Sequence, residues 1–322
     1  MLDYHVHLWP HTDRADETDL VVERLAEYCS RAAAAGVREI ALTEHFHRFR
    51  RGREVVDGFW ADEPDLELRQ DMAEYFDFHA TVDLDAYVEV VLAAKQAGLP
   101  IVAGLEVDYC RGQMDLVSSL LAGYPFDVLL GSIHWIGNWM FDVLDSPLQM
   151  RQWEVRGVDA VWHDYALAME ELAATRTCDV LAHPDVVRVT GRTADPGVVT
   201  EVEARIAEAA ATSGMAAEVS SAGFRKPVAD GYPSRRLLDR FAALGVPITT
   251  ASDTHGLSHV ADRAAVLHER VSRAGYTSLR AYRGRQGLDA PLGPPPGSGV
   301  KPGDSSDSKS RVQASSGSPG LA

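Results

Sequence analysis

Cysteine is scarce in this chain of 322 residues: Cys29, Cys110 and Cys178 form an odd, widely spaced set with no CxxC pair. That distribution argues against a disulfide framework and fits reduced thiols in a cytoplasmic protein. Positive charge is also short, with 31 Lys plus Arg against 47 Asp plus Glu and a formal net charge of -16. Such a balance repels phosphate backbones and acidic lipid, so nonspecific nucleic-acid binding and a membrane partner are not expected. No run of about eighteen apolar residues exists, and no basic region followed by an apolar run opens the chain, so neither membrane spanning nor secretion is expected. The composition leaves the oligomeric state open.

The chain does contain enough apolar residues, 46% of the total, to bury a substantial core. β-Branched apolar runs at 38–43, 100–106, 127–133, 179–182, 215–219 and 246–251, with a short opening run at 2–5, alternate with segments of helical periodicity. The helical segments at 19–35, 84–97, 196–213 and 234–244 are each followed by Gly, and another covers 158–175. About seven strand-helix units predict a closed parallel α/β barrel, a distorted (β/α)7 TIM-like fold with its site at the C-terminal ends of the strands. The stretch from Arg48 to Thr81 is too long for an ordinary βα connection. It either covers the barrel mouth or makes a surface excursion. After Leu288 the composition turns to Gly, Pro and Ser, which predicts one domain over 1–288 and a disordered tail over 289–322, whose deletion leaves activity intact.

Histidines and acids gather where strands are expected to end. His5 and His7 end the first, with His11 shortly after; Glu44-His45 ends the second, Glu106 the third, His134 the fourth, His183 the fifth, and Asp253 with His255 the last. All strand ends of such a barrel face one mouth, so these side chains can converge despite their separation in sequence. Imidazoles mixed with carboxylates hold borderline cations such as Zn, Mn or Fe, and one carboxylate can bridge two of them. The His-x-His spacing turns both rings to one side of a strand. His47, His79, His163, His259 and His268 fall in helical or loop contexts and are taken as surface or packing residues.

These motifs resemble the polymerase-and-histidinol-phosphatase (PHP) superfamily, and within it the monofunctional histidinol-phosphatase branch. Gly104-Leu105-Glu106-Val107-Asp108-Tyr109, Gly131-Ser132-Ile133-His134-Trp135 and Ala222-Gly223-Phe224-Arg225-Lys226-Pro227 carry the finer likeness. The resemblance implies two to three divalent ions: one on His5, His7, Glu106 and Asp253, a second on Glu106, His134 and His183, a third on His11, His45 and His255. It implies hydrolysis of a small-molecule phosphate monoester, L-histidinol phosphate, by metal-activated water. Glu106, Asp253 and His255 are the catalytic candidates, the last two for proton traffic to the leaving group. Glu44, where the family often has Asp, is expected to orient His45. Arg225, Lys226 and Arg188 are candidate phosphate contacts. A PHP nuclease and a metal-dependent amidohydrolase are the alternative readings, opposed respectively by the acidic charge and by the lack of Lys at any strand end.

Overall fold

A computed structural model of the chain describes residues 1–57, 60, 61 and 63–296. Seven strands follow one another in parallel: β1 (Asp3–His7), β2 (Ile40–Leu42), β3 (Ile101–Asp108), β4 (Val128–Ser132), β5 (Val180–Leu181), β6 (Ala216–Ser220) and β7 (Ile248–Ala251). An eighth, β8 (Thr254–His255), comes two residues after β7 and pairs with β1. Where seven strands were expected, the last is therefore split: its first half pairs with β6 and its second half returns to β1. Ser252 and Asp253 make the step between the halves.

Side chains close the remaining seam. Thr250 Oγ1 donates to the Leu2 carbonyl at 2.7 Å, and Ser252 gives both its amide and its hydroxyl to the Asp3 carboxylate, each at 2.7 Å. The strands are buried along both faces, which is why they read as continuous apolar runs rather than alternating ones. The helices Val22–Ala34, Leu84–Gln96, Val158–Thr175, Pro196–Ser213 and Arg235–Ala243 pack outside, close to their expected bounds. Gly98 and Gly214, at φ 84° and 76°, take the left-handed conformation that ends two of them.

One feature departs from expectation, and an open alternative is decided. A hairpin, β9 (Ser278–Arg283) with β10 (Gln286–Pro291), lies across the N-terminal ends of the strands. Its Gly284 and Arg285 amides donate to the Asp127 carboxylate and carbonyl, and Tyr282 Oη donates to the Asp179 carbonyl. The domain boundary expected at Leu288 thus falls inside a paired strand, and Leu292 beyond it is buried. The rest of the expected tail, 297–322, lies outside the described residues. The long insertion proves to cover the mouth: its helix Leu66–His79, capped by the Asp65 side chain, supplies Asp71, Glu74, Tyr75 and His79 to a cavity of about 820 Å³ there.

Candidate metal centre

Every expected ligand arrives at the C-terminal rim of the strands. His5 and His7, two apart on β1, point their Nε2 atoms the same way, 3.2 and 3.5 Å from Glu106 Oε2 on β3. The other oxygen of Glu106 lies 3.0 Å from His183 Nε2 and 3.4 Å from His134 Nε2. Asp253 Oδ1 stands 3.7 Å from His7 Nε2, 4.0 Å from His5 Nε2 and 3.6 Å from His255 Nδ1. His45 Nε2 and His255 Nε2 face each other at 3.3 Å, and the His11 ring lies tilted by 33° with its centroid 3.9 Å from that of His255. Asp253, at φ 49°, and His183, at φ 25°, adopt backbone conformations that favour glycine, a strain placed at the site itself.

The orientation of the rings decides what the cluster can bind. His5 Nδ1 lies 2.7 Å from Glu218, His7 Nδ1 3.2 Å from Glu44, and His134 Nδ1 2.6 Å from Asp108. With those outer nitrogens held by carboxylates, the Nε2 atoms turn inward, the arrangement that prepares imidazole for a cation once its inner proton is lost. Among the described residues His5 Nε2, His7 Nε2, His45 Nδ1 and Glu106 Oε2 are buried and make no well-formed hydrogen bond although they converge on one another, His45 Nδ1 lying 2.6 Å from Glu106 Oε2. Buried polar atoms that converge without well-formed hydrogen bonds are costly unless a cation ties them together. Four triads bring ligand atoms within 4.8 Å: His7-His45-His255, His5-His183-Asp253, His5-His7-Glu106 and His45-Glu106-His134. The residues present therefore fit divalent metal, with Glu106 at the hub.

Electrostatics agree. Burial by itself lowers the pKa of an imidazole, yet the carboxylates Glu218, Glu106 and Asp253 hold His5 well above its usual value. Glu106, Asp142 and Asp108 likewise outweigh burial and push His134 up to about 10. The pocket thus draws positive charge toward itself. Burial pushes Glu106 up, but the surrounding imidazoles, His45 and His5 foremost, hold it well below the usual carboxylate range. His45 and His255 are pushed well below theirs, chiefly by burial.

Several assignments change. Glu44 orients His7, not the His45 ring; it reaches His45 only at the backbone amide, and also accepts from Leu8 N and pairs with Arg48. His47, taken as a packing residue, bonds the second oxygen of Asp108 at 2.8 Å and stacks over His45, so it and His134 share one carboxylate. His79 and His259, placed with it in the surface or packing class, both line the cavity, whereas His163 is a half-buried neighbour of Glu201 and His268 bonds the Gly293 carbonyl. Arg188 is spent on Asp185, Asp230 and the Gly231 carbonyl and is not part of the cavity lining. Arg225 lines the cavity but gives its guanidinium to Asp262 and to the carbonyls of Ser252 and Asp253. Lys226 alone of the three lines the cavity without such a commitment. Glu218 was missed because, in mid-strand within an alanine-rich run, it lacks the strand-end position that marked the ligands; the inward side of β6 was the only signal.

A parallel β/α barrel with a carboxylate-bridged histidine cluster at its mouth defines a metal-dependent hydrolase scaffold. The PHP-domain family model matches residues 5–222. The chain belongs to the PHP-domain family. It is 28% identical over 249 residues to a probable histidinol-phosphatase of Deinococcus radiodurans, covering 77% of this chain and 86% of that protein. Its fold matches, at a TM-score of 0.61 and 19% identity, the histidinol phosphate phosphatase of Lactococcus lactis solved with zinc, L-histidinol and phosphate, over 89% of this chain and 98% of that one. Among the described residues no helix is long and apolar enough to cross a membrane.

Proposed function

We propose that this protein is a divalent-metal phosphomonoesterase that hydrolyses L-histidinol phosphate to L-histidinol and phosphate, a step of histidine biosynthesis. The observation that carries the reading is the set of unpartnered imidazole nitrogens and the Glu106 oxygen aimed at one another on the floor of a cavity large enough for a small ester. The relatedness to histidinol-phosphatases supports the choice of substrate. The three buried, unbridged cysteines fit a reducing cytoplasm.

Two to three ions, Zn, Mn or Fe, would be held by His5, His7, His11, His45, Glu106, His134, His183, Asp253 and His255. Bound there, they supply Lewis-acid stabilisation of phosphoryl oxygens and a water of lowered pKa. The chain's residues do the rest. Glu106, buried and ionised, ties the ligand groups together. Asp253 and His255, 3.6 Å apart, hold the proton that passes to the leaving alkoxide. Lys226 supplies a phosphate contact from the cavity wall, and Arg225 fixes the turn that carries Asp253.

The test is phosphate release by metal-loaded protein from L-histidinol phosphate, from other monoesters and from deoxyribonucleotide oligomers. Preference for L-histidinol phosphate is expected. Equal or faster cleavage of the oligomers would replace this reading with a nuclease.

A further inference from the structure

The cavity has two chemically different sides. One is the metal-ligand cluster with Lys226. The other is built where the covering helix meets the segment after β4: Asp71 accepts from Ser146 Oγ and Gln149 Nε2, locking the two together, and Glu74, Asp142 and Asp145 join the lining. Asp142 differs from its acidic neighbours. It stands next to the reaction centre, with Oδ2 4.0 Å from His134 Nε2, and its side chain keeps 21% exposure to the cavity. Among the described residues no other residue donates a hydrogen bond to its carboxylate. Two further polar groups on the wall are buried without hydrogen-bond partners among the described residues, the Tyr232 hydroxyl and His79 Nδ1, each on a side chain at most 2% exposed. A wall with a carboxylate that accepts no hydrogen bond and two unsatisfied polar atoms is incomplete until a polar ligand fills it.

Resting on the function proposed above, we infer that Asp142 receives a cationic nitrogen of the substrate, so that the enzyme selects phosphate monoesters with an ammonium group on the carbon next to the ester-bearing one. The distances suit this class. A carboxylate a few ångströms from a metal ligand matches a cation only a few bonds from the ester oxygen. An ammonium there is drawn by Asp142 while the phosphate dianion is drawn by the cations opposite, which fixes the ester oxygen between them. Sugar phosphates offer Asp142 only neutral hydroxyls, and simple alkyl phosphates offer it nothing. Their binding leaves it a half-desolvated, unpaired charge, and that is the source of discrimination against them.

The experiment compares L-histidinol phosphate with its desamino analogue, 3-(imidazol-4-yl)propyl phosphate, in the wild-type holoenzyme and in Asp142→Asn. The wild type is expected to prefer the aminated ester in kcat/KM by about 10- to 100-fold, the range of a hydrogen bond to a charged group. In the variant that ratio falls about tenfold or more, with bound metal per chain unchanged. A ratio that survives the substitution, or loss of metal from the variant, overturns the inference. Product inhibition of the wild type gives a second measurement that needs no variant: L-histidinol should inhibit more strongly than 3-(imidazol-4-yl)propanol, and equal inhibition also overturns it. Wild-type protein that cleaves simple monoesters but not L-histidinol phosphate removes the proposed function, and this inference with it.

Discussion

Glu218 holds His5: its carboxylate lies 2.7 Å from His5 Nδ1, and neither side chain has any exposure to solvent. The bond fixes the tautomer that turns Nε2 toward Glu106, and the negative charge behind the ring raises its basicity as a ligand. Glu218→Gln keeps the shape but removes the charge. It is expected to weaken metal binding about tenfold, and Glu218→Ala by up to ~100-fold, the span observed when partners of ligating histidines are lost. Competition with a chelator measures both. Unchanged affinity in the alanine variant would show that His5 does not depend on this partner.

Arg225 supports a strained turn. Asp253 sits at φ 49°, and Arg225 donates to its carbonyl at 2.9 Å and to that of Ser252 at 2.8 Å. Such a conformation costs on the order of 1–3 kcal/mol and persists only when surrounded by constraints. Lysine cannot reproduce the fork that reaches both carbonyls and Asp262. Arg225→Lys is therefore expected to lower metal affinity and kcat together, each by about tenfold, as for a lost ligand-orienting contact. A rise in KM alone, with full metal content, would return Arg225 to the role of a phosphate clamp.

Strand runs and helix stops were legible because a parallel barrel demands continuous apolar strands and because Gly marks the turn after a helix. His5, His45, Glu106, His134, His183 and Asp253 were legible because strand ends in this fold share one mouth. Glu218 and His47 were not, since nothing local distinguishes a carboxylate inside a strand, or a histidine in a loop, from a packing residue; only the fold brings them to His5 and Asp108. The role of Glu44 was misjudged for a related reason. Adjacency to His45 suggested one partner, but the side chain points across to β1 and meets His7. The C-terminal hairpin was hidden by its polar residues, whose partners, Asp127 and Asp179, lie far back in the chain.

Metal binding should release protons. His134, raised to about 10, and His5, raised well above the usual imidazole value, are protonated near neutrality in the metal-free protein. A ligating imidazole must be neutral, so each of these protons leaves when metal binds. His45 and His255, pushed low by burial, are already neutral and release none. The sign follows: apparent affinity rises with pH, by about tenfold per unit for each proton displaced, while pH stays below the raised values. Titration calorimetry at pH 6.5–8.5, in buffers of different ionisation heat, gives the proton count. Affinity flat over that range, with heats independent of buffer, would contradict it.

Truncation after Leu288 tests the C-terminal hairpin. Asp289, Ala290 and Pro291 pair with Arg280, Leu279 and Ser278, the Leu292 amide donates to the Thr277 carbonyl, and the Leu292 side chain is buried. The truncation strips the partner from half of β9 and exposes Leu279 beneath it. Burial of one leucine contributes about 1.5–3 kcal/mol, and each lost backbone hydrogen bond about 0.5–1.5 kcal/mol. A loss near 3 kcal/mol is expected, about 5–10 °C in Tm for a domain of this size. The candidate metal-ligand cluster lies at the opposite end of the strands, so turnover measured well below the new Tm should remain within about threefold of the full chain, the scatter expected for a site that shares no partners with the change. Full stability after truncation would show that β10 adds nothing to the barrel floor, whereas a large loss of turnover in still-folded protein would show that the two ends of the barrel are coupled.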